Sequence, residues 1–179
     1  RDWSSDVCSS DLLSDAQASL FVLFHKTWIY HWNVVGKDFQ QLHTLFGGQY
    51  ETMFEEIDRL SEHMRYLNVK PLSSLSRVLE VSKIKEASSS ANAEGMISDL
   101  QQSNIDFCDI MSSISEEAEA QKQYATANLV QDLMEAHGKF VWMLRSFSDT
   151  GTKKVQEEVE ETVEVEEEII EEVEETTEE

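Results

Sequence analysis

Proline occurs once in this chain, at Pro71, and glycine only six times in 179 residues. So few breakers permit long helices and exclude folds built from many tight turns. Cysteine is nearly absent. Cys8 and Cys108 are too few for a disulfide framework, which points to a reducing compartment, the cytoplasm. No apolar run approaches the ~20 residues of a membrane span. Residues 20–24, Leu-Phe-Val-Leu-Phe, are among the longest, and His25 and Lys26 interrupt them. Basic residues are scarce too, with 14 Lys and Arg against 36 Asp and Glu and a formal net charge of −22. Nucleic-acid binding usually needs clustered cations to displace counterions from phosphate. The chain offers only Lys83 with Lys85 and Lys153 with Lys154 in loose pairs, which argues against a nucleic-acid partner. A Gly-rich phosphate loop is also missing, since Gly47-Gly48 falls inside a helical pattern.

What is present suits one domain with tails. The 40% hydrophobic content is enough to build a core. Residues 1–12, Arg-Asp-Trp-Ser-Ser-Asp-Val-Cys-Ser-Ser-Asp-Leu, resemble the translated read-through of a sequencing-library adapter, with a flexible Ser/Asp-rich terminus as the alternative. They are set apart from the fold, leaving a domain at 13–149 and a tail at 150–179. Within the tail, 155–179 carries 14 Glu and no Lys or Arg, so removing those charges from −22 leaves −8 for residues 1–154. Like-charge repulsion predicts a solvated, disordered tail. Val155, Val159, Val163, Ile169, Ile170 and Val173 recur at roughly helical spacing, so an amphipathic helix on a partner is the other reading, and a cation-attracting brush a third.

Between the ends, apolar periodicity predicts four long helices and one short one. Ser14-Asp-Ala-Gln17 reads as a capping box ahead of the apolar run at Leu20, and the first helix runs to about Val35. Gly36 stops it and Asp38 caps the next, over residues 39–67, with Phe39, Leu42, Phe46, Met53, Ile57, Leu60 and Met64 along one stripe. Pro71 and the serines after it mark a crossover with a short helix at 75–85. Two further helices follow at 93–119 and 121–147. Two helix pairs joined by one long connection make an all-α four-helix bundle with a short extra helix in the crossover between helices 2 and 3.

The chemistry-bearing residues cluster around the first turn of the chain. His31 ends the first helix, His43 begins the second, and Asp58 and Glu62 lie four apart further along it, a spacing that can point two carboxylates at one ion. The same spacing is common on any solvated helix, where Arg59 or Arg65 would simply neutralise charge. A lone histidine near an apolar face is likewise more often hydrogen-bonded than metal-bound. His43 and Asp58 are 15 positions apart, roughly 22 Å along one helix axis at 1.5 Å per residue, whereas metal–ligand bonds are about 2.0–2.2 Å. If all four serve one ion, two subunits must assemble the site, as a two-fold axis would allow.

Those residues sit in a longer pattern: His31-Trp32-Asn33-Val34, Gly36, Phe39, Leu42-His43, Phe46, Tyr50, Ile57-Asp58 and Glu62. The set resembles the signature of the Dps family, miniferritins named as DNA-binding proteins from starved cells. A weaker likeness continues through Tyr124-Ala-Thr-Ala-Asn128 and Lys139-Phe-Val-Trp142, covering about residues 14–148. The resemblance implies a ferritin-like bundle and a homo-oligomer, a dodecamer with metal sites at two-fold interfaces. It implies His31, His43, Asp58 and Glu62 as iron ligands, Fe(II) oxidation by hydrogen peroxide or O₂, and storage of the ferric product in a hollow shell. Mixed imidazole and carboxylate ligation with few protein ligands leaves open positions on Fe(II), as such oxidation requires. Trp32 resembles a tryptophan near the family's iron site, a candidate electron donor or radical interceptor, with interface packing as the alternative.

One position departs from the pattern. The family commonly has an acidic residue one turn after the second histidine, and here Gly47 stands there, followed by Gly48. A missing ligand predicts weaker iron binding or slower oxidation, with close approach of another backbone or a looser, water-filled site as structural consequences. Glu51, one turn on, is a partial substitute. A Dps-fold shell or interaction protein with weakened oxidation is therefore the rival reading, and a DNA-compacting protein a third. His25, His63 and His137 lack a second ligand at obvious spacing, and Cys108 and the six methionines read as core.

Overall fold

The structure, a computed structural model, describes residues 10–148. The expectations for Cys8, for most of the first twelve residues and for the acidic tail lie outside the described residues. Five helices follow one another: α1 (Ser10–Asn33), α2 (Phe39–Tyr66), α3 (Leu75–Val81), α4 (Ala93–Ala120) and α5 (Tyr124–Ser148). No strand occurs among the described residues. α1 packs on α2 and α4, and α5 packs on α4 and α2, so the long helices close a four-membered ring. The 26-residue crossover at 67–92 carries α3, which rests on α1. This is the all-α four-helix bundle with an extra crossover helix that the apolar spacing predicts.

Local rules set the helix ends. α2 closes on Asn68 at φ 63° and α4 on Lys122 at φ 58°. In each case the next two amides turn back to the helix, Asn68 N to Arg65 O and Val69 N to Met64 O, then Lys122 N to Glu119 O and Gln123 N to Ala118 O. Both are left-handed closures that satisfy two terminal carbonyls. α1 starts earlier than the sequence pattern suggests. Ser14 is no cap: its hydroxyl donates to Ser10 O at 2.7 Å inside the helix. Gln17 is buried instead, giving its Nε2 to Ser61 Oγ at 2.9 Å and accepting Leu72 N at 2.8 Å. Burial of Leu13 and Ala16 extends the helix N-terminally, because their contribution outweighs a capping signal worth only about 1 kcal/mol.

Polar knots cross the apolar core. Lys26 is 2% exposed and donates to Asp99 Oδ1 at 2.7 Å and to Ser103 Oγ at 2.9 Å. The Tyr30 hydroxyl donates to the other oxygen of Asp99 and accepts Ser88 N at 2.9 Å. Burial first, and the Asp99 bond second, push the Tyr30 phenol up to about 12, so it stays a donor at all working pH. The knot binds α1 to α4 and pins the end of the crossover. A second knot joins three helices: His137 Nδ1 meets Asn104 Oδ1 at 2.6 Å and His137 Nε2 meets Glu56 Oε2 at 3.1 Å. Asn104 spends its own Nδ2 on Leu100 O, so its oxygen accepts and His137 Nδ1 carries a proton.

Removing one member of a buried pair strands the other. We expect Lys26→Met to cost about 3 kcal/mol, the low end for a broken buried pair because Asp99 keeps 34% exposure. Adding Asp99→Asn should recover part of that loss, since the introduced amide oxygen can still accept from Tyr30 without carrying charge. Urea midpoints of the single and double variants test this, and an unchanged midpoint in Lys26→Met would show that the knot adds no stability.

Candidate metal centre

His31 lies in the last turn of α1 and His43 in the first turns of α2, joined by a five-residue loop at 34–38. Gly36 adopts φ +116°, a conformation that side chains resist, and Phe39 N returns to Gly36 O at 3.2 Å. Asp38 occupies the N-cap position of α2 through its backbone alone, with Leu42 N on Asp38 O at 3.0 Å and no side-chain cap bond. This sharp reversal lays the two histidines over each other. Their rings stack with centroids 3.7 Å apart and planes 20° from parallel.

The stack is locked by a reciprocal pair of hydrogen bonds. His31 Nδ1 donates to His43 O at 2.7 Å and His43 Nδ1 donates to His31 O at 2.8 Å. A carbonyl can only accept, so both Nδ1 atoms must carry the proton. In the neutral rings each Nε2 then keeps a free lone pair, the state a metal ligand needs. His31 O is among the terminal carbonyls of α1 that have no helical partner, so His43 also caps that helix. The negative end of the α1 dipole falls at the same place and favours a cation there. His43 rests on Phe39 with centroids at 5.1 Å, and Tyr50 stands edge-on to His31 at 5.2 Å.

Gly47 is part of this arrangement. It is buried, and a Cβ placed on it would sit 3.3 Å from His31 Cε1 and 3.4 Å from His31 Nδ1. What approaches closely at the departing position is therefore the imidazole of His31, not another backbone. Glu51 is exposed one turn further on. Asp58 is also exposed on α2 and Glu62 lies one turn beyond it, and one chain does not gather them with the histidines. Among the described residues no three His, Cys, Asp or Glu side chains form a group that could hold an ion.

Around the stack runs an aromatic face that the motif alone does not predict. Phe24, Trp28 and Trp32 from α1 meet Tyr50 and Phe54 from α2, with centroids of 4.5 Å for Trp28–Trp32, 6.3 Å for Phe24–Tyr50 and 6.2 Å for Phe24–Phe54. Trp32 is 55% and Phe54 66% exposed. The spacing of 24, 28 and 32 along one helix is the signal that could have found it. The Glu56–His137–Asn104 knot has no such signal, because its members come from α2, α5 and α4.

Comparison with known proteins decides the family. Residues 10–153 match the ferritin-like domain. A DNA protection during starvation protein of Brevibacillus brevis is 31% identical over 136 residues, covering 76% of this chain and 91% of the relative. The chain belongs to the Dps family. The Dps of Thermosynechococcus elongatus superposes with a TM-score of 0.77 at 27% identity, over 79% of this chain and 90% of that one. The Dps of Vibrio cholerae, described as a member of a broad superfamily of ferritin-like diiron-carboxylate proteins, gives 0.75 at 28% identity over 78% and 88%. Iron handling of the ferritin-like kind is thus the family-level function.

The two adjacent glycines of this Dps should respond differently to a side chain. Gly48 has nothing within 4 Å of a built Cβ, so Gly48→Ala should gain about 0.5–1 kcal/mol of helix stability. Gly47→Ala should gain none, because the methyl must push the locked His31 ring. Thermal melts of both variants test the contrast, and an equal gain at both positions would mean that the histidine stack yields freely.

Proposed function

We propose that this Dps oxidises Fe(II) with hydrogen peroxide or O₂ at sites shared between subunits and stores the ferric product inside a hollow, dodecameric shell. The observation that carries the reading is the His31–His43 stack, with both Nδ1 protons committed to carbonyls and both Nε2 lone pairs free, set in an uncovered aromatic face. In this reading His31 and His43 of one chain hold Fe(II) against Asp58 and Glu62 of a second, across a two-fold interface. The 15-residue offset along α2 is then an advantage, since antiparallel apposition of two copies brings the histidine end of each to the carboxylate end of the other. The aromatic face supplies the apolar area for that contact.

Iron is the substrate here. Peroxide takes two electrons and two protons to become two waters, and two Fe(II) supply one electron each. The imidazoles bind the ion in the ferrous state, while the carboxylates stabilise the higher charge as it forms and pass it to neighbouring oxygen ligands. Trp32 is the candidate electron donor when a single Fe(II) is present, and its ring contact with Trp28 offers a second ring over which the oxidising equivalent can spread. The cytoplasm is the proposed location, in keeping with the sparse cysteines.

Gly47 favours a second reading, a Dps shell whose oxidation is weakened. The position that could carry a carboxylate instead accommodates the His31 ring. Complementation separates the two. A chain carrying His31→Ala and His43→Ala, co-assembled in equal amount with one carrying Asp58→Ala and Glu62→Ala, should recover Fe(II) oxidation to roughly a quarter of wild type by random pairing. Mixtures no faster than either parent would remove the shared site, and a wild-type shell that takes up Fe(II) without oxidising it would establish the second reading.

A further inference from the structure

Gln49 is almost fully buried, at 1% exposure, and both its Nε2 and its Oε1 lack a hydrogen-bond partner. It shares the core face of α2 with Phe46 and Met53, where an unpaired amide is costly. Gln49 also lines an open cleft of about 390 Å³ between α2 and α5, its two amide atoms shielded from that cleft in the side-chain position described, and the volume is within the range of small-molecule sites. Thr44, Gly48 and Thr52 form the α2 wall, and Lys139, Phe140 and Met143 the α5 wall. Gly48 carries no packing constraint, since a Cβ would meet nothing within 4 Å, yet a side chain there would occupy the cleft. Glycine at this position therefore weakens the helix and keeps the cavity open.

The polar groups specify what fits. Thr44 and Thr52 donate their hydroxyl protons to Gln40 O at 2.8 Å and Gly48 O at 2.9 Å, so their oxygens can only accept. An anion could satisfy the Gln49 amide N–H but not its oxygen, and a cation the reverse. A ligand edge with a donor beside an acceptor satisfies both, as the amide of Gln or Asn does with the N6 and N7 of adenine. We propose that the cleft binds a small planar nitrogen heterocycle of the adenine type. The Gln49 amide turns into the cavity to pair with its edge, Phe140 and Met143 pack on its face, and Lys139 meets an anionic substituent such as a phosphate. The site is separate from the histidine stack and does not depend on its chemistry.

Calorimetric titration of the assembled full-length protein with adenine and with adenosine monophosphate tests this. Both should bind once per chain with sub-millimolar affinity, the monophosphate more tightly at low salt. Gln49→Leu should weaken both at least tenfold while raising the melting temperature, because it removes a buried unpaired amide. Gly48→Met fills the cleft without altering the amide and should abolish binding in a stable, assembled shell. Absence of binding to wild type at millimolar concentration overturns the proposal, and so does affinity that survives either substitution. Binding of the monophosphate alone, lost in Lys139→Ala but not in Gln49→Leu, would reveal a phosphate contact only and overturn it equally.

Discussion

The α1–α2 turn sets the geometry of the candidate metal centre. Its five residues, with Gly36 in the left-handed region, reverse the chain so tightly that two imidazoles and two carbonyls face one another in pairs. Each histidine completes the other's backbone: His43 supplies a donor to a terminal carbonyl of α1, and His31 uses a spare lone pair on His43 O. One pair of bonds thereby fixes the register between the first two helices, the tautomer of both rings and the direction in which their free nitrogens point. As the proposed ligand pair, rings held in this way would need no reorganisation before a metal arrives, which is the orienting role that carbonyls play at many histidine sites.

The rest of the bundle holds that turn in place. α1 is tied to α4 by Lys26 and Tyr30 on Asp99, and to α2 and the crossover by Gln17. α5 is tied to α2 and α4 through His137. In a core otherwise made chiefly of aliphatic side chains, Met and Phe, helices can slide by a turn with little loss, because one apolar side chain replaces another. Polar knots remove that freedom, since a slipped helix would leave a buried charge or amide without a partner at a cost of several kcal/mol. Their contribution is therefore to register more than to net stability.

How much was legible in the sequence follows from the range of each interaction. Helix existence is readable, because Leu42, Phe46, Met53, Leu60 and Met64 repeat at helical spacing and burial follows that repeat directly. The start of α1 escapes a local reading: Ser14 and Gln17 have a capping pattern, but Gln17 serves partners 44 and 55 residues away, which no local pattern encodes. His31 and His43 stand out through their resemblance to a family pattern, yet their stacking, their tautomer and the role of Gly47 depend on the turn geometry. His137 looks solitary in the sequence because its partner Glu56 is 81 residues distant.

The proposed division of a site between two copies would also link metal binding to assembly. A site complete in one chain would bind iron whatever the oligomeric state, and iron would then report nothing about the shell. In the proposed shared arrangement an ion would bind only the apposed pair, so at a concentration 100 times its dissociation constant it would add about 2.7 kcal/mol to that contact. The aromatic face around His31 sets the opposite limit. Apolar burial at about 25 cal/mol per Å² acts without any metal, so Trp32 and Phe54 would favour pairing even in an empty shell. Metal and aromatics therefore act on one equilibrium from two sides. Under the proposed function the aromatics would make the shell available before iron appears, and iron would strengthen the interface at which it is oxidised.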